Sequence, residues 1–409
     1  MLTVEPARQG RAGTKLALAL AGGGPLGAFY EIGALHALEE ALVGRELVDF
    51  DTYVGVSSGS LVAAALANRI DTTTMGSLFI HEAAAMLPLT PEMLLRPAVG
   101  EYVRRLALLP RAVREMGRSF VSDSLHDAWP IVVGSLGRVV PTAIFDNAPL
   151  ERYLHSIFRS RARTDDFRRL RSRLFVVATN LNTGSAVAFG DQRHDRVPIS
   201  RAVAASAALP GLYAPVEIDG QPYVDGALIR TMHASLALEA GCDLLICINP
   251  LVPFDASRAV HRRFRNLASA GLPVVLGQTF RALIHSRMQV GMSMYPARFP
   301  HADVVLLEPD RDDEKLFFAN VFRYSGRHEL ADHAYQQTRR DLLAHASALG
   351  AVLARRGLAL DMRKLRARNR TFATAAAERS RRSHQVTRRL GQSLDRLERT
   401  LRAARSGSK

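Results

Sequence analysis

Short apolar runs alternate with longer segments whose apolar residues return every three or four positions, and this alternation organises the first 250 residues. Leu16-Ala17-Leu18-Ala19-Leu20 predicts a buried strand, ending in Gly22-Gly23-Gly24, after which Leu35, Leu38 and Leu42 recur at helical spacing. A second unit follows, with residues 50–56 reading as a strand, Ser57-Ser58-Gly59 as a tight turn and residues 61–67 as a buried helix. Strands alternating with helices imply an α/β fold of three layers, α/β/α, around a mostly parallel central sheet.

Residues 71–140 lose this rhythm. Met75, Met86, Met93, Leu94, Leu95, Leu106, Leu108 and Leu109 lie among Pro88, Pro91, Pro97 and Pro110, which predicts a helical insertion, either a cap over an apolar cleft or ordinary packing helices. The sheet pattern returns at residues 174–178 and 186–189, followed by a helix over 201–208 that Pro210-Gly211 stops. Asp219-Gly220 predicts a hairpin turn between residues 214–218 and 221–225. Residues 244–248 and 304–307 add two apolar strands, and there is no internal repeat. Beyond about residue 330 the chain is helical and polar. Leu390, Leu394, Leu397, Leu401 and Ala404 return at steps of four and three, with Asp395 to Arg399 and Glu398 to Arg402 at ion-pair spacing; two heptads are short for a coiled coil. The pattern divides the chain into a main domain, 14–340, and a helical C-terminal extension, 341–409.

At 409 residues, 47% hydrophobic and 23% charged, the composition is that of a folded globular chain rather than a disordered one. Its two cysteines, Cys242 and Cys247, offer neither a disulfide framework nor metal-ligand spacing, so they read as reduced core thiols, and no metal or organic cofactor is expected. The net charge of +15 is concentrated: from residue 351 onward there are 17 Lys/Arg against 4 Asp/Glu. Residues 360–409 therefore form a basic tail, readable as a solvated helix, as a surface for anionic membrane lipids, or as a contact for nucleic acid or a helical partner. Phe372 is the tail's one aromatic, which argues against stacking on bases. No apolar run reaches the roughly 18–20 residues a membrane-spanning helix needs. Arg8, Arg11 and Lys15 ahead of residues 16–21 imitate a short signal peptide, but cleavage there would remove the first strand and the glycine loop. A cytoplasmic location, peripheral to the inner membrane surface, is the expectation. Oligomeric state leaves no trace in the sequence.

Three motifs carry candidate chemistry. Gly55-Val56-Ser57-Ser58-Gly59 is a G-x-S-x-G pentapeptide where a strand gives way to a helix, the setting in which a strained turn projects a nucleophilic serine and flanking glycines avoid collisions. Gly and Ser also populate ordinary turns. Gly22-Gly23-Gly24-Pro25-Leu26-Gly27 lies between a strand and a helix, so its backbone N–H groups and the helix dipole can hold a developing anion. The Walker lysine-serine pair is missing and the spacing is not that of a dinucleotide loop; a purely structural turn is the other reading. Asp225-Gly226-Ala227 ends a short strand, where an aspartate serves as a helix cap for residues 228–238 or as a base.

Taken in this order, the three motifs resemble the patatin-like phospholipase family, whose pattern is a glycine-rich oxyanion loop, a G-x-S-x-G nucleophile and an Asp-Gly-Gly or Asp-Gly-Ala base. The segment from Ser206 to Val216, with Pro210-Gly211 and then Asp219-Gly220 and Tyr223-Val224-Asp225-Gly226, is similar to the family's approach to its aspartate, and Ala178-Thr179-Asn180 resembles an upstream strand end. The resemblance covers about residues 14–230, more weakly to 340. It implies Ser57 and Asp225 as a catalytic dyad, Gly22, Gly23 and Gly24 as the oxyanion hole, and an acyl-glycerolipid or phospholipid substrate. Many members carry Arg or Lys where Leu26 stands, which puts a cationic contribution at the oxyanion in doubt. A triad would need a histidine after the acid; His261, His285, His301, His328 and His333 are available, none in a marking context. The expected activity is serine acyl hydrolysis of carboxylic esters; the alternative is a weakly active or inactive lipid- or partner-binding protein on the same fold.

Overall fold

The computed structural model describes residues 1–9, 13–80, 89–122, 137, 139–261, 265–319, 326–379 and 381. Arg11, parts of the insertion (81–88, 123–136 and 138) and the leucine pattern from Leu390 to Ala404 lie outside the described residues.

Nine strands form the main sheet: β1 (Leu2–Glu5), β2 (Leu16–Leu20), β3 (Thr52–Val56), β4 (Arg173–Asn180), β5 (Ser185–Phe189), β6 (Val216–Ile218), β7 (Gln221–Asp225), β8 (Leu244–Ile248) and β9 (Asp303–Leu307). Their order is β1-β9-β8-β2-β3-β4-β7-β6, with β5 on the other edge of β4. The five strands from β9 to β4 are mutually parallel; β1, β5, β6 and β7 pair antiparallel at the flanks.

Helices cover both faces because alternate side chains of every central strand are buried on opposite sides. Leu16, Leu18 and Leu20 pack in one core with α1 (Gly24–Ala41) and α2 (Ser58–Ala67), whereas Ala17 and Ala19 pack in the other, with Met288 and Met292 of a long helix. Besides α1 and α2, the elements that matter are α3 (Ile199–Ser206), α4 (Leu272–Arg298) and α5 (Arg327–Ala344). Helix α1 is buried almost all round, lying between the sheet and α5. A Cβ on Gly33 would fall 2.2 Å from the carbonyl oxygen of Ala331, so only glycine permits this approach.

Most strands fall where the hydrophobic pattern puts them, and the predicted turn is real: Asp219 and Gly220 have φ of 51° and 72° between β6 and β7. The helix expected over 201–208 runs Ile199–Ser206, and the one expected over 228–238 shrinks to Ser235–Glu239 behind a 3-10 turn, Gly226–Leu228. Helix α4, 27 residues long, was not apparent from periodicity. Its apolar residues face a core, a cavity and the exterior, which blurs the repeat.

The described part of the C-terminal extension packs on the main body. Leu349, Val352, Leu353, Leu365 and Phe372 belong to the larger core, and Ala359–Leu360 pairs with Leu42–Val43. Its arginines are engaged internally: Arg356 grips the fully buried Asp303 through Nε at 3.0 Å and Nη2 at 2.7 Å, Arg370 pairs with Glu40 and Glu378, and Arg379 with Glu39 at 3.1 Å. Arg355 reaches the other Asp303 oxygen from a far more exposed position.

Burial decides what these two neighbouring arginines are worth. Arg356→Ala leaves a buried carboxylate short of its partner and is expected to cost roughly 3–5 kcal/mol, whereas Arg355→Ala should cost about 1 kcal/mol or less. Urea denaturation of the two variants measures both; equal shifts in midpoint would contradict the assignment of Arg356 as the anchor.

Candidate active site

Strands β3 and β7 run toward each other along the same edge of β4. Val56 ends β3 opposite Val177, and Asp225 ends β7 opposite the next residue, Ala178. The carboxyl ends of two strands distant in sequence therefore abut, and the residue just after β3 meets the last residue of β7. Ser57 Oγ donates to Asp225 Oδ2 at 2.6 Å.

The serine stands on a strained turn. Its φ of 52° and ψ of −126° are rare for a residue with a side chain, and they aim the hydroxyl away from both β3 and α2. The strain is held from several directions. Ser57 N–H donates to Ser206 Oγ at 2.8 Å, that hydroxyl donates to the Val177 carbonyl at 2.5 Å, and Ser60 Oγ donates to the Ser57 carbonyl at 2.6 Å. The flanking glycines are obligatory: a Cβ on Gly55 would lie 2.4 Å from Ser60 Cα, and one on Gly59 2.5 Å from the Leu20 carbonyl oxygen.

Asp225 is only 3% exposed and is held by both oxygens, Oδ2 accepting from Ser57 and Oδ1 from the Ala227 N–H at 2.8 Å. It thus caps the turn Gly226–Leu228 while facing the serine, so the two sequence readings of this residue are compatible. Burial raises its pKa from 3.8 to about 6; the hydrogen bonds from Ser57 and Ala227 oppose the rise without cancelling it. Gly226 lets the turn pack on β4, since a Cβ there would be 2.3 Å from the Val177 carbonyl oxygen. A hydroxyl beside a carboxylate of raised proton affinity is an arrangement suited to proton transfer.

The triple glycine lies against this pair. A Cβ on Gly22 would fall 2.9 Å from Ser57 Cβ, and Gly24 takes a φ of 61° as the first residue of α1. The Gly22 N–H is directed to the Thr231 carbonyl at 3.4 Å, so the amides of Gly23 and Gly24, with that of Ser58 at the start of α2, are the ones left for a ligand. Leu26, half-buried, packs against the core and brings no charge.

Ser57, Asp225 and all three glycines line one cavity of about 410 Å³. Its wall is overwhelmingly apolar, with Phe29 and Leu61 from α1 and α2, Val203 from α3, and Phe280 and Ile284 from α4. Phe79, Leu89, Leu94 and Leu95 come from the described part of the insertion, and Phe79 and Leu89 are also core residues, so the insertion both packs and walls the cleft. No histidine lines the cavity among the described residues: His261 pairs with Glu314, His333 with Asp313, and His285 lies 3.6 Å from Glu308.

Three contributions were missed from the sequence. Ser206, which opens the family-like segment, braces the serine turn as a hydroxyl at the end of a buried apolar helix. His233, buried with φ of 46°, hydrogen-bonds its ring to the Gly226 backbone, and burial lowers its pKa to about 4, so it is neutral. The third is α4, which walls the cavity from a distant part of the chain.

Residues 18–238 match the sequence model described as Patatin-like phospholipase. Among solved structures, VipD from Legionella pneumophila is 15% identical, over 87% of this chain and 80% of that one, with a TM-score of 0.33. The type III effector protein ExoU, known from Pseudomonas aeruginosa, is also 15% identical, over 93% of this chain, with a TM-score of 0.32. The match takes in 63% of ExoU's length. At these TM-scores neither overlay bears on the site.

The raised pKa of Asp225 has a consequence for stability. Between about pH 4 and 6 the folded chain holds a proton that the unfolded chain has lost, so ionising Asp225 weakens the fold as pH rises through that window. Asp225→Asn removes the penalty and is expected to be more stable than the parent at pH 7, by up to about 3 kcal/mol, with the gap closing below pH 4. Thermal unfolding across that range is the check; a variant less stable at pH 7 would mean the buried charge carries no net penalty.

Proposed function

The chain belongs to the patatin-like phospholipase family, and from that premise we propose that it is a serine acyl hydrolase cleaving carboxylic esters of acyl-glycerolipids through a Ser57–Asp225 dyad. The observation that carries the reading is the 2.6 Å hydrogen bond between these side chains at the wall of an apolar cavity.

In this mechanism Asp225 Oδ2 accepts the Ser57 proton as Oγ adds to the ester carbonyl. The carbonyl oxygen becomes an oxyanion, held by the backbone N–H groups of Gly23, Gly24 and Ser58 at the positive ends of α1 and α2. Collapse of the adduct expels the alcohol, which takes the proton from Asp225. A water molecule then adds to the acyl-serine, Asp225 accepts its proton, and the acid departs as the proton returns to Ser57. A carboxylate with a pKa near 6 is still ionised at pH 7 yet is a better base than an exposed aspartate. The apolar wall receives the acyl chain. Leu26 leaves the oxyanion to peptide amides, which is the feature favouring the weakly active alternative.

Initial rates on a short p-nitrophenyl ester are expected to fall by roughly 10⁴-fold or more in Ser57→Ala and in Asp225→Asn. For the parent, kcat/KM should rise with pH through an ionisation near 6 and lose about tenfold per unit below it. A fluorophosphonate probe should label the parent and not Ser57→Ala; a folded parent that takes no label would favour the binding-protein reading.

Contact with a lipid surface is the second part of the proposal. No described helix is long and apolar enough to cross a membrane. Helix α4 instead exposes Leu272, Leu276, Phe280, Leu283, Val290 and Met294 along one stripe, and its Phe280 also lines the cavity. The helix carries no acidic residue to repel an anionic bilayer. Within the basic tail, Arg370 and Arg379 act as anchors to the core while Arg363, Arg366 and Arg368 are exposed; these three, with residues 382–409, which carry eight Lys/Arg against two Asp/Glu, are the charge proposed for lipid headgroups.

Sedimentation with phosphatidylglycerol vesicles separates the two contributions. Leu276→Ser with Leu283→Ser is expected to weaken binding several-fold at any ionic strength, and deletion of 382–409 to weaken it chiefly at low salt. Unchanged binding in both would reject the lipid-surface reading.

A further inference from the structure

Arg281 is the one basic residue among those lining the cavity. It is half-buried, its guanidinium stacks over the Phe317 ring at 4.6 Å, and Nη1 lies back along α4, 3.4 Å from where a Cβ of Gly277 would stand. Gly277 thus opens a berth for the group, and Phe317 holds its plane. No carboxylate pairs with it among the described residues, and burial pushes its pKa below the usual arginine value, as expected of a cation taken out of water without a counter-ion.

The other polar side chains at the wall are differently placed. Asn147 donates to the Ala204 carbonyl at 2.9 Å, Tyr213 to the Leu94 carbonyl at 2.8 Å, and Ser57 to Asp225. Ser58 Oγ lacks a partner, but it sits beside Ser57 and is neutral. Arg281 is therefore a preorganised cation in an apolar chamber without a paired anion, since the carboxylate that lines the same chamber, Asp225, is engaged by Ser57 and the Ala227 N–H. A ligand that satisfies both features has apolar chains and one strongly anionic group. The five N–H donors of a guanidinium form a planar fork whose best match is phosphate or carboxylate, and the anion an intact glycerolipid carries is phosphate.

We propose that Arg281 is the specificity residue that binds the phosphate of a glycerophospholipid, so that the site selects phosphate-bearing lipids over neutral acylglycerols. This rests on the lipid reading of the cavity given above. It adds the class of headgroup and the side chain that reads it. The role is binding: the guanidinium holds the phosphate while the apolar wall holds the chains.

Non-hydrolysable ligands test it without calling on the reaction. Calorimetry on the full chain compares 1,2-di-O-hexylglycerol 3-phosphate with 1,2-di-O-hexylglycerol, both below their micelle concentrations. The parent should bind the phosphate ether at least tenfold more tightly than the neutral one. Arg281→Gln should lose about 10- to 100-fold on the phosphate ether and stay within twofold on the neutral one. Arg281→Lys should recover only part of the difference, since it keeps the charge and not the fork, and it serves as the probe if the glutamine variant does not fold. Equal affinities of the parent for the two ethers, or equal losses on both in the variants, would overturn the proposal. Inorganic phosphate binding as tightly as the phosphate ether would also overturn it, by showing a free-anion site instead of a headgroup site. If the ethers are discriminated but no ester is cleaved through Ser57, the dyad fails and the headgroup assignment stands. If esters are cleaved through Ser57 and the ethers bind alike, Arg281 alone has been misassigned.

Discussion

Everything at the site depends on a sharing of one strand edge. β4 is long enough to pair with β3 along its first half and with β7 along its second, and because those two strands run in opposite directions their ends meet at Val177 and Ala178. A serine and an aspartate 168 positions apart become hydrogen-bond partners by register. Slipping either strand by one residue would carry its side chain away from the other and break the pair. The glycines beside them, Gly55, Gly59 and Gly226, are what allow the backbones to close this tightly.

That junction also sets the electrostatics. Abutting strand ends covered by α3 exclude water from Asp225, and the exclusion raises its pKa toward 6. Two helices start at the same spot, α1 from the glycine loop and α2 from the serine, so their amide ends face a carboxylate and a hydroxyl across a few ångströms of apolar cleft. Under the proposed mechanism the base is made competent by burial and the developing oxyanion is met by dipoles already in place. The fold tolerates the cost of a buried carboxylate because the apolar burial in the two cores flanking the sheet offsets it.

The local motifs were legible because they are contiguous. Strand β2, the glycine loop, the serine turn, the Asp219-Gly220 hairpin and the aspartate turn each show within a few residues, and the order of the three chemical motifs resembles one family's pattern. The basic tail was less legible. Net charge alone cannot tell an arginine paired with a carboxylate of the main body from one facing solvent, and Arg356, Arg370 and Arg379 are of the first kind, held by Asp303, Glu40 and Glu39. Helix α4 was invisible for a related reason: its neighbours differ on each side, so no single period runs through it.

By itself, the sequence determined the alternation of strands and helices, the two-faced burial of the sheet, and the residue types able to do acyl chemistry, since these follow from side-chain period and from backbone demands that only glycine, serine or aspartate meet. Tertiary structure decided what lies across the gap. It brought Ser206 under the serine turn, His233 behind the aspartate turn, and Arg281 into the cavity wall from a helix far along the chain. These placements depend on strand register and helix packing between segments that share no local signal, and such relations exist only once the chain has closed on itself.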